Sequence, residues 1–368
     1  MPADAVLDDL RKVADGRARP AGDDDAVGGT PARYVATPTS TDGTAELLRV
    51  AAQHGLRVVA RGAGTKQDWG LPPESVGLVV DTTSLSGVVE HPAGDLVAVV
   101  RAGTRMTKLQ DRLATAGQQL ALNTPLAAAT LGGTVATNTS GPRRLVYGTM
   151  RDLLIGITFV RADGVVARAG GKVVKNVAGY DFGKLLVGSY GTLGVITEVA
   201  LRLHPLPRAR QAVSVRIDGA AAAEAALRVA RSQLAPCAVE IDQPADDAGT
   251  VTVLVEGVEA GVADRVGGVL DLLGPAAGAG DTRSGSAATR SARGTSGSRS
   301  PRRPRGWGRC SQPRGRRATC AAFRCRSAGP RSASCTRPCP GTWTRRRPAG
   351  WSRTCAAPPR STAGASSS

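Results

Sequence analysis

The stretch that decides the fold of this chain is Val58-Val59-Ala60-Arg61-Gly62-Ala63-Gly64-Thr65-Lys66. An apolar run of strand length leads directly into a loop with two glycines and a lysine. Glycines at a strand exit let backbone N–H groups approach an anion closely, because no Cβ intervenes. The loop is not a dinucleotide-binding GxGxxG motif, since Gln67 occupies the third glycine position, and it lacks the Gly-Lys-Ser/Thr of a Walker loop. Taken alone, the segment indicates either an anion-binding loop or an ordinary tight turn.

Strand-length apolar runs and amphipathic segments alternate on both sides of this loop. The hydroxyls of Pro38-Thr39-Ser40-Thr41 predict the start of a helix that ends at Gly55, and Thr104 predicts the cap of a second helix that ends at Gly117. The predicted strands are residues 56–60, 78–80, 96–100, 154–160, 165–169 and 195–203. Strands alternating with single helices predict an α+β or α/β domain over residues 31–207.

The flanking segments differ in composition from this domain. Residues 1–30 are polar and rich in Gly and Asp, which predicts a poorly ordered lead-in. Predicted strands at 211–217 and 251–255 flank an Ala-rich helix at 220–233. They predict the start of a second α+β domain over residues 208–275, which breaks off near Gly274 and is incomplete.

Residues 276–368 are predicted to be a low-complexity tail. From Asp281 to the last residue there is no Leu, Ile, Val, Met or Lys, and 20 Arg stand against one acidic residue. The net charge of +18 therefore belongs to this tail, since residues 1–280 carry 28 basic and 29 acidic side chains. A segment without aliphatic side chains cannot bury enough apolar area to offset the entropy of ordering it. We expect the tail to be disordered.

The tail has two interpretations. Its residues are almost all encoded by codons with G or C in the middle position, which is what a shifted reading frame in a G+C-rich gene produces. We place that shift between about Gly274 and Arg283. The alternative is an arginine-rich arm that binds nucleic acid phosphates. The absence of a recurring RGG or RS repeat argues against such an arm. Its six cysteines include no CxxC pair, so we expect no metal site there.

Two further glycine segments follow the first loop in the predicted domain. One is Ala129-Thr130-Leu131-Gly132-Gly133-Thr134-Val135-Ala136-Thr137-Asn138-Thr139-Ser140-Gly141, whose Thr and Asn side chains offer hydrogen bonds to a polar ligand. The other is Gly188-Ser189-Tyr190-Gly191-Thr192-Leu193-Gly194-Val195-Ile196-Thr197, which leads straight into a strand. Each alone is consistent with a simple glycine-rich connection.

In this order and spacing, the segments resemble the flavoproteins of the vanillyl-alcohol oxidase/p-cresol methylhydroxylase (PCMH) type. Within that family the pattern most resembles the FAD-binding subunits of glycolate oxidase. The resemblance is narrowed by Asp68-Trp69-Gly70, by Ser140-Gly141-Pro142-Arg143-Arg144 with Tyr147-Gly148, by Lys172-Val173-Val174-Lys175-Asn176-Val177-Ala178-Gly179-Tyr180-Asp181, and by Gly191-Thr192-Leu193-Gly194. It covers residues 31–207 and fades by about residue 275. It implies a PCMH-type FAD-binding domain of two α/β subdomains that cradle FAD.

The resemblance also implies which residues bind the cofactor. The first loop would wrap the pyrophosphate of FAD with backbone donors, the second segment would line the flavin and ribityl side, and the third would bind through main-chain groups. The implied residues are Arg61, Gly62, Ala63, Gly64, Thr65, Thr130, Leu131, Gly132, Gly133, Thr137, Asn138, Gly194, Val195 and Ile196. Some family members attach the flavin through His or Cys in these regions. Neither occurs there in this chain, which favours non-covalent binding.

The implied reaction is the two-electron oxidation of a small 2-hydroxy acid such as glycolate. Electrons would pass to partners, a second flavin subunit and an iron–sulfur subunit. The catalytic base is unknown, because His54, His91 and His204 all fit structural positions. The alternative is a non-catalytic FAD-binding subunit, or a remnant that lost its substrate domain.

A cytoplasmic location is expected, with membrane association only through a partner. The start of the chain shows no apolar signal segment, and no run of about 18 apolar residues marks a membrane span. Cys237 is the only cysteine among residues 1–280, which suits a reducing compartment.

Overall fold

The structure, a computed structural model, describes residues 3–123, 126–171, 180–243 and 249–280. Its strands, in chain order, are β1 (Ala18–Pro20), β2 (Ala32–Ala36), β3 (Val58–Arg61), β4 (Val76–Asp81), β5 (Val88–Glu90), β6 (Val97–Arg101), β7 (Gln118–Gln119), β8 (Leu154–Val160), β9 (Val166–Gly170), β10 (Val195–Arg202), β11 (His204–Pro205), β12 (Ala209–Ile217), β13 (Ala238–Asp242), β14 (Gly249–Gly257) and β15 (Gly278–Gly280). Its α-helices are α1 (Ala3–Val13), α2 (Thr41–Gln53), α3 (Met106–Ala114), α4 (Leu131–Ala136), α5 (Arg144–Tyr147), α6 (Met150–Leu153), α7 (Phe182–Leu186), α8 (Gly219–Ala230) and α9 (Glu259–Leu273).

Two segments that carried expectations lie outside the described residues. One is residues 281–368, which make up all but the first five residues of the expected tail. The other is residues 172–179, which hold most of the lysine-rich motif quoted above.

The first sheet has the strand order β1-β2-β4-β3 and is parallel except for β1. Its inner strand β4 is buried from Val76 to Val80, as is usual for parallel strands that are covered on both faces. Helix α2 connects β2 to β3. Ser40 caps this helix by accepting a hydrogen bond from the Gly43 N–H at 2.9 Å, as its sequence predicted. This strand–helix–strand unit delivers the chain into the first glycine loop.

The second sheet is antiparallel, with the order β5-β6-β10-β8-β9. Its main core contains buried side chains of α3, α4, α6 and α7. Val160 and Val195, where β8 ends and β10 begins, belong instead to the core of the first sheet. Helix α2 packs on both β8 and β10. The start of β10, which carries the third glycine segment, therefore lies beside the first sheet. The mixed α/β fold expected for residues 31–207 is confirmed.

The expectation of a poorly ordered lead-in at residues 1–30 is wrong for the described residues. Helix α1 places Val6, Leu7 and Leu10 in the same core as α2, and Leu10 is completely buried. His54 Nε2 lies 3.1 Å from a carboxylate oxygen of Asp9, which ties α1 to the end of α2. The polar composition concealed an amphipathic helix, because its three buried apolar residues stand among five charged ones in an 11-residue stretch.

Thr104 does not cap α3, contrary to its predicted role. The structure has Arg105 at the N-cap of that helix, without a side-chain cap. The hydroxyl of Thr104 instead accepts a hydrogen bond from the Gly87 N–H at 2.9 Å. A buried hydroxyl with a partner in a neighbouring turn satisfies the same hydrogen-bonding need as a cap, so local sequence cannot distinguish the two roles.

The third sheet has the order β13-β14-β12-β15 and is antiparallel throughout. One face, with Val213, Val215 and Val253, packs on α8 and α9 to form a separate core. Residues that alternate with these valines point to the opposite face. The elements fall in the range expected for the start of a second domain, and its boundaries at 208 and 275 stay a prediction. No helix in the described parts of the chain is long and apolar enough to cross a bilayer.

Candidate FAD site

The three glycine segments converge on one cavity of about 510 Å³. The loop after β3, the start of α4 and the turn before β10 form three sides of its wall. Twelve of the fourteen residues expected to bind FAD line it: Arg61, Gly62, Ala63, Gly64, Thr65, Thr130, Gly132, Gly133, Thr137, Gly194, Val195 and Ile196. Segments that are more than 100 residues apart in sequence thus meet at one place.

Leu131 and Asn138 are the two expected residues that do not line this cavity. Leu131 is completely buried in the core of the second sheet, because it occupies the inward side of the first turn of α4. Asn138 follows the end of the helix in a left-handed conformation, with φ 50°. Its side chain is exposed and lies beside Gly188. We therefore leave both out of the proposed cofactor contacts.

Gly62 is required by the close approach of the first loop to α4. A Cβ at this position would lie 2.1 Å from Thr130 Oγ1, and side-chain carbons of Thr130 would be 3.2 and 3.3 Å away. Thr130 is the N-cap of α4, where its Oγ1 accepts a hydrogen bond from the Gly133 N–H. The absence of a side chain at Gly62 therefore lets the strand exit contact the N-terminus of the helix.

The Arg61 side chain is part of the framework of the loop. Its guanidinium lies 2.9 Å from a carboxylate oxygen of Asp25 and 3.4 Å from one of Asp81, and it is 13% exposed. Asp25 also binds Arg19 at 2.7 Å. The Arg19 hydrogen bond, with further bonds from the Gly22 N–H and Arg61, holds the pKa of Asp25 well below its usual range in spite of burial. Because the Arg61 guanidinium is paired with two carboxylates, we expect a ligand to contact mainly the backbone of Arg61.

We expect Asp25 to make the protein acid-sensitive. A carboxyl with a lowered pKa stabilises the fold above the ordinary value of 3.8, and that contribution is lost as the pH falls below it. In Asp25→Asn, the free energy of unfolding should therefore fall less between pH 6 and pH 3, measured by urea titration. Asp24→Asn removes an exposed neighbouring carboxyl and serves as the control. Parallel pH profiles for wild type and Asp25→Asn would contradict this role.

The ammonium group of Lys66, in the wall of the cavity, has no counter-ion among the described residues. Its ammonium lies 5.7 Å from the centre of the Trp69 ring. Burial lowers the pKa of Lys66, which shows that the charged form is poorly solvated there. The buried Nε2 of Gln67, also in the wall, has no hydrogen-bond partner in the described structure. A cation and a free donor beside a glycine loop fit the phosphate groups of a dinucleotide cofactor.

Several wall residues were not singled out from sequence. Val27 comes from the lead-in, while Trp69, Leu71 and Tyr190 are exposed apolar or aromatic residues at the cavity. Leu71 is 96% exposed. Trp69 and Tyr190 stood within quoted motifs, so aromatic residues beside glycines were the available signal. Nothing in the lead-in marked Val27.

The wall contains no His, Cys, Asp or Glu among the residues that the structure describes. His54 pairs with Asp9, His91 lies 2.9 Å from Gln118 Oε1, and His204 packs edge-on against Tyr147 with ring centres 4.9 Å apart. Within the same described residues, no group of three or more potential ligands could hold a metal ion. The described wall therefore contains no imidazole or carboxylate that could act as a base and no His or Cys that could attach a flavin.

Comparison with known proteins agrees with the geometry. Residues 32–170 match the family model described as "FAD binding domain". The glycolate oxidase subunit GlcD of Bacillus subtilis is 34% identical over 215 residues, covering 57% of this chain and 45% of that protein. The subunit GlcE of Escherichia coli is 38% identical over 181 residues, covering 49% of this chain and 50% of that protein. The chain thus spans about half the length of these relatives or less.

Similar folds occur among solved structures. A p-cresol methylhydroxylase with bound substrate superposes with a TM-score of 0.62 at 16% identity, covering 73% of this chain and 63% of that one. An alkyldihydroxyacetonephosphate synthase superposes with a TM-score of 0.60 at 19% identity, covering 71% and 55%. At these identities the likeness establishes the fold.

The fold and the cavity define a flavin-binding protein. Residues 32–170 are an FAD-binding domain, and FAD is the cofactor. A D-lactate dehydrogenase of Archaeoglobus fulgidus is also similar to this chain, with 37% identity over 174 residues.

Proposed function

We propose that this chain is the FAD-binding part of an oxidoreductase that acts on a small 2-hydroxy acid, with glycolate as the model substrate. One observation carries the proposal: three glycine segments line a single cavity in which Lys66 lacks a counter-ion among the described residues. That arrangement supports binding of a diphosphate-linked cofactor. The names of the relatives, glycolate oxidase subunits and a D-lactate dehydrogenase, support the substrate class.

The proposed contacts follow from the wall of the cavity. Backbone N–H groups of residues 61–65 and the ammonium of Lys66 would bind the pyrophosphate. Gly132, Gly133 and Thr137 would contact the ribityl and flavin side, and residues 194–196 would contribute main-chain groups. Binding is non-covalent in this proposal, since no His or Cys of the described residues lines the wall. When bound, FAD supplies an acceptor for the hydride from the substrate α-carbon.

The chain's own residues bind and orient in this proposal. Trp69, Leu71 and Tyr190 offer apolar surface at the cavity, which would exclude water from the ring system. Electrons would leave through a second flavin subunit and an iron–sulfur subunit in the cytoplasm. A chain that binds FAD without turnover is the second candidate. It is favoured by the lack of a carboxylate or imidazole in the described wall.

Anaerobic reduction of the FAD-loaded protein tests the proposal. We expect glycolate or D-lactate to bleach the flavin absorbance to the level reached with dithionite. Glycolamide, which lacks the carboxylate, serves as the control. Bleaching by dithionite alone would select the FAD-binding chain without turnover. A colourless protein that takes up no FAD would contradict both candidates.

A further inference from the structure

A buried charged group joins the FAD-binding domain to the third sheet. Glu256 on β14 has a side chain only 1% exposed. Its Oε2 lies 2.8 Å from Arg143 Nη2 and 2.9 Å from the Tyr147 hydroxyl, and its Oε1 lies 2.8 Å from Arg210 Nε. We call these four residues the Glu256 cluster. Its acceptor comes from the third sheet, and two of its three donors come from α5 and the residue before it.

The Glu256 cluster has more positive charge than negative. Two guanidinium groups face one carboxylate. The other titratable groups nearby are kept neutral: burial raises the pKa of Tyr147 and of Cys237, and burial lowers the pKa of His204. Arg265 adds a third guanidinium, which donates to the backbone oxygen of Glu256 at 2.6 Å. The Glu256 cluster therefore carries a net positive charge, which favours an anionic ligand.

The hydrogen bonds of the Glu256 cluster also favour an anionic ligand. The Arg143 side chain is 5% exposed, yet its Nε–H has no partner in the described structure. Arg210 uses only its Nε, and its two terminal nitrogens have no partner among the described residues. Buried N–H donors without acceptors are rare in folded proteins, because each costs free energy. The cluster has donors in excess, and what it lacks is an acceptor.

Arg210 is the member that a ligand can reach. Its side chain is 38% exposed, whereas Arg143 and Glu256 are enclosed. Because Glu256 holds the Nε edge, the two terminal nitrogens form a fork of fixed orientation, which matches the two oxygens of a carboxylate.

The cluster lies close to the FAD cavity along the chain. Arg143 is six residues after Thr137, which lines that cavity, so their Cα atoms are at most about 20 Å apart. Residues 137–143 thus connect a wall of the cofactor cavity to the Glu256 cluster.

We propose that Arg210, oriented by Glu256, binds the carboxylate of the 2-hydroxy acid. This inference rests on the proposed function and assigns the substrate-binding group that the cavity wall itself does not contain. Arg143 and Glu256 are positioning residues, since they act on the ligand through the orientation and charge of Arg210.

Binding of oxalate, a carboxylate that cannot donate a hydride, tests the site without requiring turnover. The FAD-loaded protein is titrated calorimetrically with oxalate, and KM and kcat are measured with glycolate. In Arg210→Met we expect the oxalate Kd and the glycolate KM to rise about 10- to 100-fold, the range for lost charge-assisted hydrogen bonds. FAD content should stay near wild type, since Arg210 does not line the FAD cavity, and kcat should fall by a smaller factor than KM rises. Arg210→Lys should fall between the two, because it keeps the charge and loses the fork.

Arg216→Met is the matched control. Arg216 lies on the same strand and the same face, six residues and about 20 Å along β12 from Arg210. The Arg216→Met substitution removes the same charge from the protein as Arg210→Met and should change the oxalate Kd less than twofold. Equal losses in Arg210→Met and Arg216→Met would show a long-range field only and would overturn the site.

The two proposals fail in different ways. If oxalate binds through Arg210 but no 2-hydroxy acid bleaches the flavin, the carboxylate site stands and the proposed reaction fails. If glycolate bleaches the flavin and Arg210→Met binds and turns over like wild type, the reaction stands and the site is overturned. Absence of oxalate binding to the FAD-loaded wild type would also overturn the site.

Discussion

We expect the Gly62→Ala variant to bind FAD more weakly than the wild-type protein. The new methyl group would lie 2.1 Å from Thr130 Oγ1, a separation that real side chains essentially never show. Either the first loop or the N-terminus of α4 must move, and both form walls of the cavity. Overpacking of this kind costs about 1–3 kcal/mol, so we expect FAD affinity to fall about 10- to 100-fold. The measurement is a titration of FAD into the apoprotein, followed by quenching of flavin fluorescence.

Two further variants separate this effect from general damage. Gly94→Ala places a methyl group where no atom lies within 4 Å, away from the cavity wall, and should bind FAD like wild type. Thr130→Ala in the Gly62→Ala background removes the clashing oxygen and leaves Thr130 Cβ at 3.2 Å, so it should recover part of the affinity. Wild-type FAD affinity in Gly62→Ala would show that the loop and the helix do not hold the cofactor together.

Glu256→Ala should destabilise the protein by about 3–5 kcal/mol, the cost of removing one partner of a buried ion pair. The substitution leaves the Arg143 guanidinium, 5% exposed, without its counter-ion, and it removes the acceptor of the Tyr147 hydroxyl. The free energy of unfolding is measured by urea titration. The paired replacement Arg143→Met with Glu256→Leu removes both buried charges and should recover most of the loss.

Glu224→Ala provides the matched control for this substitution. Glu224 pairs with Arg228 on α8, but the two side chains are 74% and 48% exposed. Its loss should cost less than about 1 kcal/mol. If Glu256→Ala is no more destabilising than Glu224→Ala, the cluster does not hold the third sheet against the FAD-binding domain.

Local signals in the sequence predicted the parts of the site that the backbone builds. Glycines at strand exits and helix starts identified all three walls of the cavity, because close backbone approach depends on the absence of a Cβ at each place. The Ser40 cap and the apolar run of β4 were likewise predicted from the local sequence. Within the second glycine segment, the sequence could not show that the Leu131 side chain faces the core, because the direction of a helical side chain depends on the core that packs against it.

Long-range pairings could not be predicted from the sequence. Arg143 and Glu256 are 113 residues apart, and nothing in the sequence around either residue indicated that they pair. The Arg61 side chain pairs with Asp25 and Asp81, and neither pairing was predicted from the sequence. Asp25 lies in a lead-in whose polar composition indicated disorder. Only the tertiary fold brings such charges together, because neither partner leaves a periodic signal.

The FAD content of the purified protein shows most directly whether this chain binds FAD. FAD released by denaturation is quantified against protein, before and after incubation with excess cofactor and removal of the unbound fraction. We expect a yellow protein with close to equimolar FAD that denaturation releases, as non-covalent binding requires. A protein that stays colourless after incubation, with no quenching of flavin fluorescence, would contradict it.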